Sequence, residues 1–131
     1  MSGEWRAASG EVRHYRGLLV WQKAVDWVEA VYATTAAWPT DERFGLTSQI
    51  RRAAVSIPSN IAEGAARRST PDFLRFLSIS RASLAEAETQ LIIAERLGYI
   101  DAVALTALLD AADEISRMSS GLISKLEERM K

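Results

Sequence analysis

The sequence predicts an all-α protein, an antiparallel up-and-down four-helix bundle. Three observations carry this. Apolar residues recur every three or four positions through long stretches, no stretch of strand length alternates with period two, and the three prolines and seven glycines fall mostly at the edges of the periodic stretches. Helices of this length joined by short loops pack most simply as antiparallel neighbours. At 131 residues the chain suits one domain. The reading places an N-terminal arm over 1–16 and the bundle over 17–131, with helices at about 18–37, 43–66, 71–97 and 102–129.

The first helix begins after Gly17, with Leu18, Trp21, Val25, Val28 and Tyr32 in helical spacing. It should stop near Trp38-Pro39, because a residue before proline is pushed out of the α region. Thr40 or Asp41 can cap the second helix, whose stripe is Leu46, Ile50, Ala53, Ile57, Ile61 and Gly64. Pro58 falls inside it, yet the apolar phase continues unbroken. The expectation is one helix kinked at Pro58, with the carbonyl of Ala54 needing another donor. Ser69-Thr70-Pro71-Asp72 is a strong helix start, and Phe73, Leu77, Ser80, Leu84, Ala87, Leu91 and Ala94 form the third stripe. Gly98 suits a left-handed end, and Asp101 caps a fourth helix striped by Leu105, Leu108, Ala112, Ile115, Ser119, Leu122 and Leu126.

The net charge of −1 conceals an asymmetry. Residues 1–42 sum to −2 and residues 82–131 to −4, whereas 43–81 carry seven arginines against Glu63 and Asp72, a sum of +5. Thirteen of the sixteen cations are arginine, the side chain suited to bidentate contacts with carboxylate or phosphate. Ion pairing inside the bundle and a surface for a polyanion both fit this layout.

Candidate chemistry is sparse. There is no cysteine and one histidine, His14, so thiolate chemistry, two-histidine haem ligation, His-Glu-x-x-His zinc sites and Ser-His-Asp catalysis are excluded. Glu11-Val-Arg-His14 gives a Glu-x-x-His spacing once, where a di-iron bundle needs it twice. The acidic pairs Glu86/Glu88 and Asp113/Glu114 diverge around a helix and cannot flank one bond. No catalytic, cofactor or metal site is expected. No apolar run approaches the ~18 residues of a membrane span, no secretory leader opens the chain, and the missing cysteines fit a cytoplasmic setting.

Two surfaces attract attention. On the first helix Trp27, Val20 and Val31 widen the apolar arc to about half the circumference, against about 100° for one buried face, which predicts an oligomer interface there. On the second, Arg52, Ser56, Ser59 and Glu63 share one side beside Gln49, and Asn60 lies at the core edge. Arg52 and Glu63 stand three turns apart, so each is expected to find a partner on another helix or subunit.

Leu19-Val20-Trp21-Gln22-Lys23-Ala24, Phe44-Gly45-Leu46, Gln49-Ile50-Arg51-Arg52-Ala53-Ala54, Ser56-Ile57-Pro58-Ser59-Asn60-Ile61-Ala62-Glu63-Gly64 and Leu97-Gly98-Tyr99 resemble the 23S rRNA-intervening-sequence proteins, also called four-helix-bundle proteins. The resemblance spans roughly residues 17–127. It implies an all-α bundle assembling as a ring of five subunits, with no established activity in most members. The related accessory variability proteins of diversity-generating retroelements are similar pentamers that bind nucleic acid and a reverse transcriptase. Those relatives are strongly basic, whereas this chain has a pI of about 5.9.

Two functional expectations follow. In one, the protein is a non-enzymatic oligomeric scaffold, its partner another copy of itself. In the other, Arg51, Arg52, Arg67, Arg68 and Arg75 present a repeated cationic surface to RNA or single-stranded DNA, contacting phosphates without reading bases.

Overall fold

A computed structural model describes residues 15–131. The expectations placed on Glu11 and His14, and on the N-terminal arm up to residue 14, lie outside these residues. A 3₁₀ turn over Tyr15–Gly17 leads into α1 (Leu19–Thr35); a second such turn over Thr40–Glu42 leads into α2 (Leu46–Ala65), then α3 (Thr70–Arg96) and α4 (Ala102–Glu128). No strand occurs among the described residues. Each helix packs on the next and α4 returns to α1, so the four form a closed antiparallel bundle, with α2 and α3 the most intimate pair.

Local chemistry explains each boundary. At the end of α1 the Ala36 N–H donates to the Tyr32 carbonyl, and the chain turns through Trp38 to Pro39. α3 opens on Ser69, whose hydroxyl accepts from the Asp72 N–H at 3.2 Å, with Pro71 in the first turn where a missing N–H costs nothing. Asp101 caps α4 by accepting from the Ala104 N–H at 2.8 Å. Gly98, at φ +82°, ends α3: Tyr99 N–H reaches back to the Ala94 carbonyl at 2.9 Å and Gly98 N–H to Glu95 at 3.0 Å, a Schellman pattern that needs a residue tolerant of positive φ. Before α2, Gly45 has no side chain to cap with. Glu42 supplies the cap from the preceding turn, its Oε1 accepting from Leu46 N–H at 3.0 Å.

α2 runs without interruption across Pro58, which is buried. The one hydroxyl that reaches its backbone from α3 is Ser80, donating to the Ile57 carbonyl at 3.1 Å rather than to Ala54. The core is made by Ile50, Ile57 and Ile61 of α2, Leu77, Leu84 and Leu91 of α3, Leu108 and Ile115 of α4, and Val20, Trp27 and Val31 of α1, spaced by fully buried alanines at 24, 54, 87, 94 and 112. Those alanines let the helix backbones approach closely.

The oligomer interface expected at Trp27, Val20 and Val31 is overturned. Trp27 is 2% exposed and Val31 fully buried, both within the single chain. A helix in a closed bundle touches two neighbours, so its apolar arc must be wider than one face. Trp27 also donates its indole N–H to the Leu108 carbonyl at 3.0 Å, which ties α1 to α4.

Candidate interaction surfaces on the α2/α3 and α3/α4 faces

Two residues of the polar side of α2, Ser56 and Gln49, are hydrogen-bonded to α3. Ser56 and Ser83 share a hydrogen bond of 2.8 Å, and Asn60 donates its amide to both the carbonyl and the hydroxyl of Ser56 at 2.8 Å. The amide at the core edge is thus satisfied within its own helix. Two turns away, Gln90 donates to Gln49 at 3.4 Å and to Glu86 at 3.2 Å, while its buried Oε1 has no partner among the described residues. These pairs fix the antiparallel register and put Arg52, on the outer side of α2, level with Glu86 of α3.

Within the single chain, Arg52 and Glu63 find no partner on another helix, which leaves another subunit as the alternative. Glu63 pairs with Arg67, four residues on, at 3.1 Å between two exposed side chains. Arg52 is exposed and has no ion pair or hydrogen bond among the described residues.

The arginines proposed to meet phosphate separate into three kinds. Arg51 is structural: its Nε donates to Thr35 Oγ1 at 2.8 Å, its Nη2 to the Tyr32 carbonyl at 3.3 Å, and its guanidinium lies 4.4 Å from the Tyr32 ring centroid. It thereby adds a donor to one carbonyl in the last turn of α1. Arg67 and Arg75 flank Phe76 at 4.9 and 4.5 Å, and each carries a carboxylate partner, Arg75 pairing with Asp72 at 3.8 Å. Of the five, only Arg52 and Arg68 are exposed without an ion pair or hydrogen bond among the described residues. Arg67 and Arg75 thus share the Phe76 ring, whereas Arg51 is bound to the end of α1.

Sequence reasoning missed three features. The first is a second row on α3: Ile79, Glu86 and Ile93, seven residues apart, face outward beside α2, and the two isoleucines are 40% and 43% exposed. The spacing was visible in the sequence, but the inner stripe absorbed it. The second lies on the α3/α4 side, where Ile92 is also exposed and Glu88 of α3 stands near Asp113 of α4. Burial, and then the neighbouring Asp113 carboxylate, pushes the Glu88 carboxyl above its ordinary value. Asp113 has a cation only along its own helix, Arg117 at 3.0 Å. The pairing of Glu88 with Asp113 depends on helix register, which no local pattern reveals.

The third is a latch at the bundle end. Besides capping α2, Glu42 accepts the Tyr99 hydroxyl at 2.8 Å, and the Tyr99 ring lies 5.8 Å from that of Trp38. The hydrogen bond from Leu46 N–H, then that from Tyr99, holds the Glu42 carboxyl below its usual value; the same contact, with burial and nearby carboxylates, raises the Tyr99 phenol.

Among the described residues no group of three or more His, Cys, Asp or Glu could hold a metal ion, and no helix is long and apolar enough to cross a membrane.

A family model described as 23S rRNA-intervening sequence protein matches residues 16–121. A solved structure from Bacteroides thetaiotaomicron, titled as a protein of unknown function from the S23 ribosomal protein family, is similar with a TM-score of 0.72 and 24% identity, covering 80% of this chain and 98% of that one. At that identity it speaks for the fold alone. No curated protein matches the sequence significantly.

Proposed function

The chain belongs to the 23S rRNA-intervening sequence protein family, and from that premise we propose that it is a non-enzymatic, self-assembling scaffold of the cytoplasm. The observation that supports the reading is the set of exposed isoleucines on α3: Ile79, Ile92 and Ile93 are each at least 40% exposed on a helix whose opposite stripe is fully buried. Exposed aliphatic side chains on the outer side of a helix already anchored in a core fit a partner that covers them. The partner is another copy of the chain, and the ring of five implied by the resemblance is the preferred form.

The nucleic-acid reading draws less support. Phosphate binding needs cations that are free to exchange their counterions. Arg51 is committed to α1, and Arg67 and Arg75 already face carboxylates. Light scattering on the purified chain, paired with a salt-titrated RNA and single-stranded DNA binding assay, tests both. The scaffold reading expects a mass that is a whole multiple of 14.5 kDa and no binding at physiological salt. A monomer that binds either nucleic acid with a steep salt dependence would overturn it.

A further inference from the structure

The seam between α1 and α4 is the least intimate among neighbouring helices, and two cavities lie open along it. The lower one, about 330 Å³, sits between Leu18 and Val20 of α1 and Met118 and Leu122 of α4, with Lys125 at its edge. Gly121 leaves it unfilled: a Cβ built there would meet nothing within 4 Å. The upper one, about 320 Å³, is walled by Trp27 and Ala30 of α1 and by Ala107, Leu108 and Ala111 of α4. Lys23, Asp26 and Glu114 line its rim, where Lys23 pairs with Glu114 at 3.7 Å. Asp26 and Lys125 have no ion pair or hydrogen bond among the described residues. The upper cavity therefore suits an apolar ring with a cation beside it, and the lower an aliphatic group beside an acid.

The chain itself carries that combination. Residues 1–14 precede the described part and lie outside the family-matched span of 16–121; they contain Trp5 followed by Arg6, and Glu11 followed by Val12. We propose that this N-terminal segment seats along the α1/α4 groove of its own chain, with the Trp5 indole in the upper cavity beside Asp26 and with Val12 in the lower one beside Lys125. Arg6 then answers Asp26, and Glu11 answers Lys125. The order along the groove is the order in the sequence, since Val12 lies nearer to Tyr15 than Trp5 does. The reach also suffices. The Tyr15–Gly17 turn touches α2, and the Tyr15 ring meets that of Trp21 edge-on at 5.1 Å, so the segment departs from the α2 side of α1. Rounding the end of α1 takes about 10 Å, one interhelical spacing. Climbing from Leu19 to Trp27 takes about 12 Å at the helical rise. The stretch from Trp5 to Tyr15 spans about 33 Å when extended, more than the two distances together. Burying an indole removes on the order of 150–250 Å² of ring surface from water, and the covalent tether keeps its effective concentration at the groove high.

The chain has no cysteine, so disulfide trapping on the full chain tests the seating directly. Ala7→Cys is combined with Ala111→Cys, at an exposed position beside the upper cavity, or with Ala85→Cys, an exposed position midway along α3. Under oxidised glutathione the Ala111 pair should close within one chain at least about tenfold faster than the Ala85 pair, at a rate independent of protein concentration. Adding Trp5→Ala should bring the Ala111 pair down to the rate of the Ala85 pair. Ala107→Leu, which fills the upper cavity, should do the same, with circular dichroism confirming that each variant remains helical. If the leucine variant fails to fold, Trp5→Ala carries the comparison, because position 5 lies outside the four helices. Equal rates for the two pairs, or a fast Ala111 pair indifferent to Trp5→Ala, would overturn the proposal. A disulfide that joins two chains would overturn it as well, since the segment would then seat on another copy.

Discussion

At Gly64, α2 lies close against α3. A Cβ built there would lie 2.8 Å from Phe76 Cβ and 2.9 Å from Phe73 Cδ1, with the Phe73 carbonyl at 3.3 Å. Relief would require the α3 backbone to move, because the obstructing atoms lie at or near it. Gly64→Ala should therefore destabilise the chain by about 1–3 kcal/mol despite improving helix propensity, as read by urea denaturation. Arg51→Ala should cost about 1–2 kcal/mol in the same assay, since it removes the two charge-assisted hydrogen bonds that tie α2 to the end of α1, although the Thr35 hydroxyl keeps the Val31 carbonyl and the Tyr32 carbonyl keeps Ala36 N–H. Arg67→Ala should cost less than about 1 kcal/mol, because its ion pair with Glu63 is exposed on both sides. Two adjacent stretches of arginine thus differ by position: Arg51 points back to α1, Arg52 outward. In the sequence the two are indistinguishable by type, and only the helical rotation of 100° between them separates structure from surface.

At the scale of elements, the boundaries were legible wherever a cap or breaker is local. Ser69 with Pro71, Asp101, Gly98 and Pro39 each mark a helix end by their own chemistry. The start of α2 was less legible because its cap, Glu42, acts from a preceding turn and is held there by Tyr99, 57 residues later in the chain. That latch makes a pH prediction. A carboxyl held below its ordinary value of 4.5 binds protons less readily in the folded chain than in the unfolded one. It contributes stability above the unfolded value and loses that contribution as pH falls through the folded one. Stability measured from pH 6 downward should fall below about pH 4.5, and Glu42→Gln should flatten the part of that slope due to this carboxyl. An unchanged slope would show that Glu42 makes no titrating contact. Tyr99 acts at the other extreme: its raised phenol keeps the neutral, donating form until pH exceeds the ordinary value of 10.0, where the contact with Glu42 is lost.

For the whole molecule, the bundle was legible because apolar period, caps and loop lengths agree. The assembly surface was not. The width of the α1 arc pointed outward to Trp27, whereas the closed bundle buries that arc between two neighbours and leaves the outer rows of α3 exposed. A helical wheel measures how much of a helix is apolar, and it does not say how many neighbours the helix has. The charge asymmetry was legible as a sum, but its division into paired, structural and free groups depends on register between helices. The central claim is that this chain works as an assembly of its own copies, and the most direct test is a dilution series of the wild type in sedimentation velocity. The account predicts one species of a defined multiple of 14.5 kDa, larger than one chain, that persists at micromolar concentration. A single species at 14.5 kDa throughout the series would contradict it.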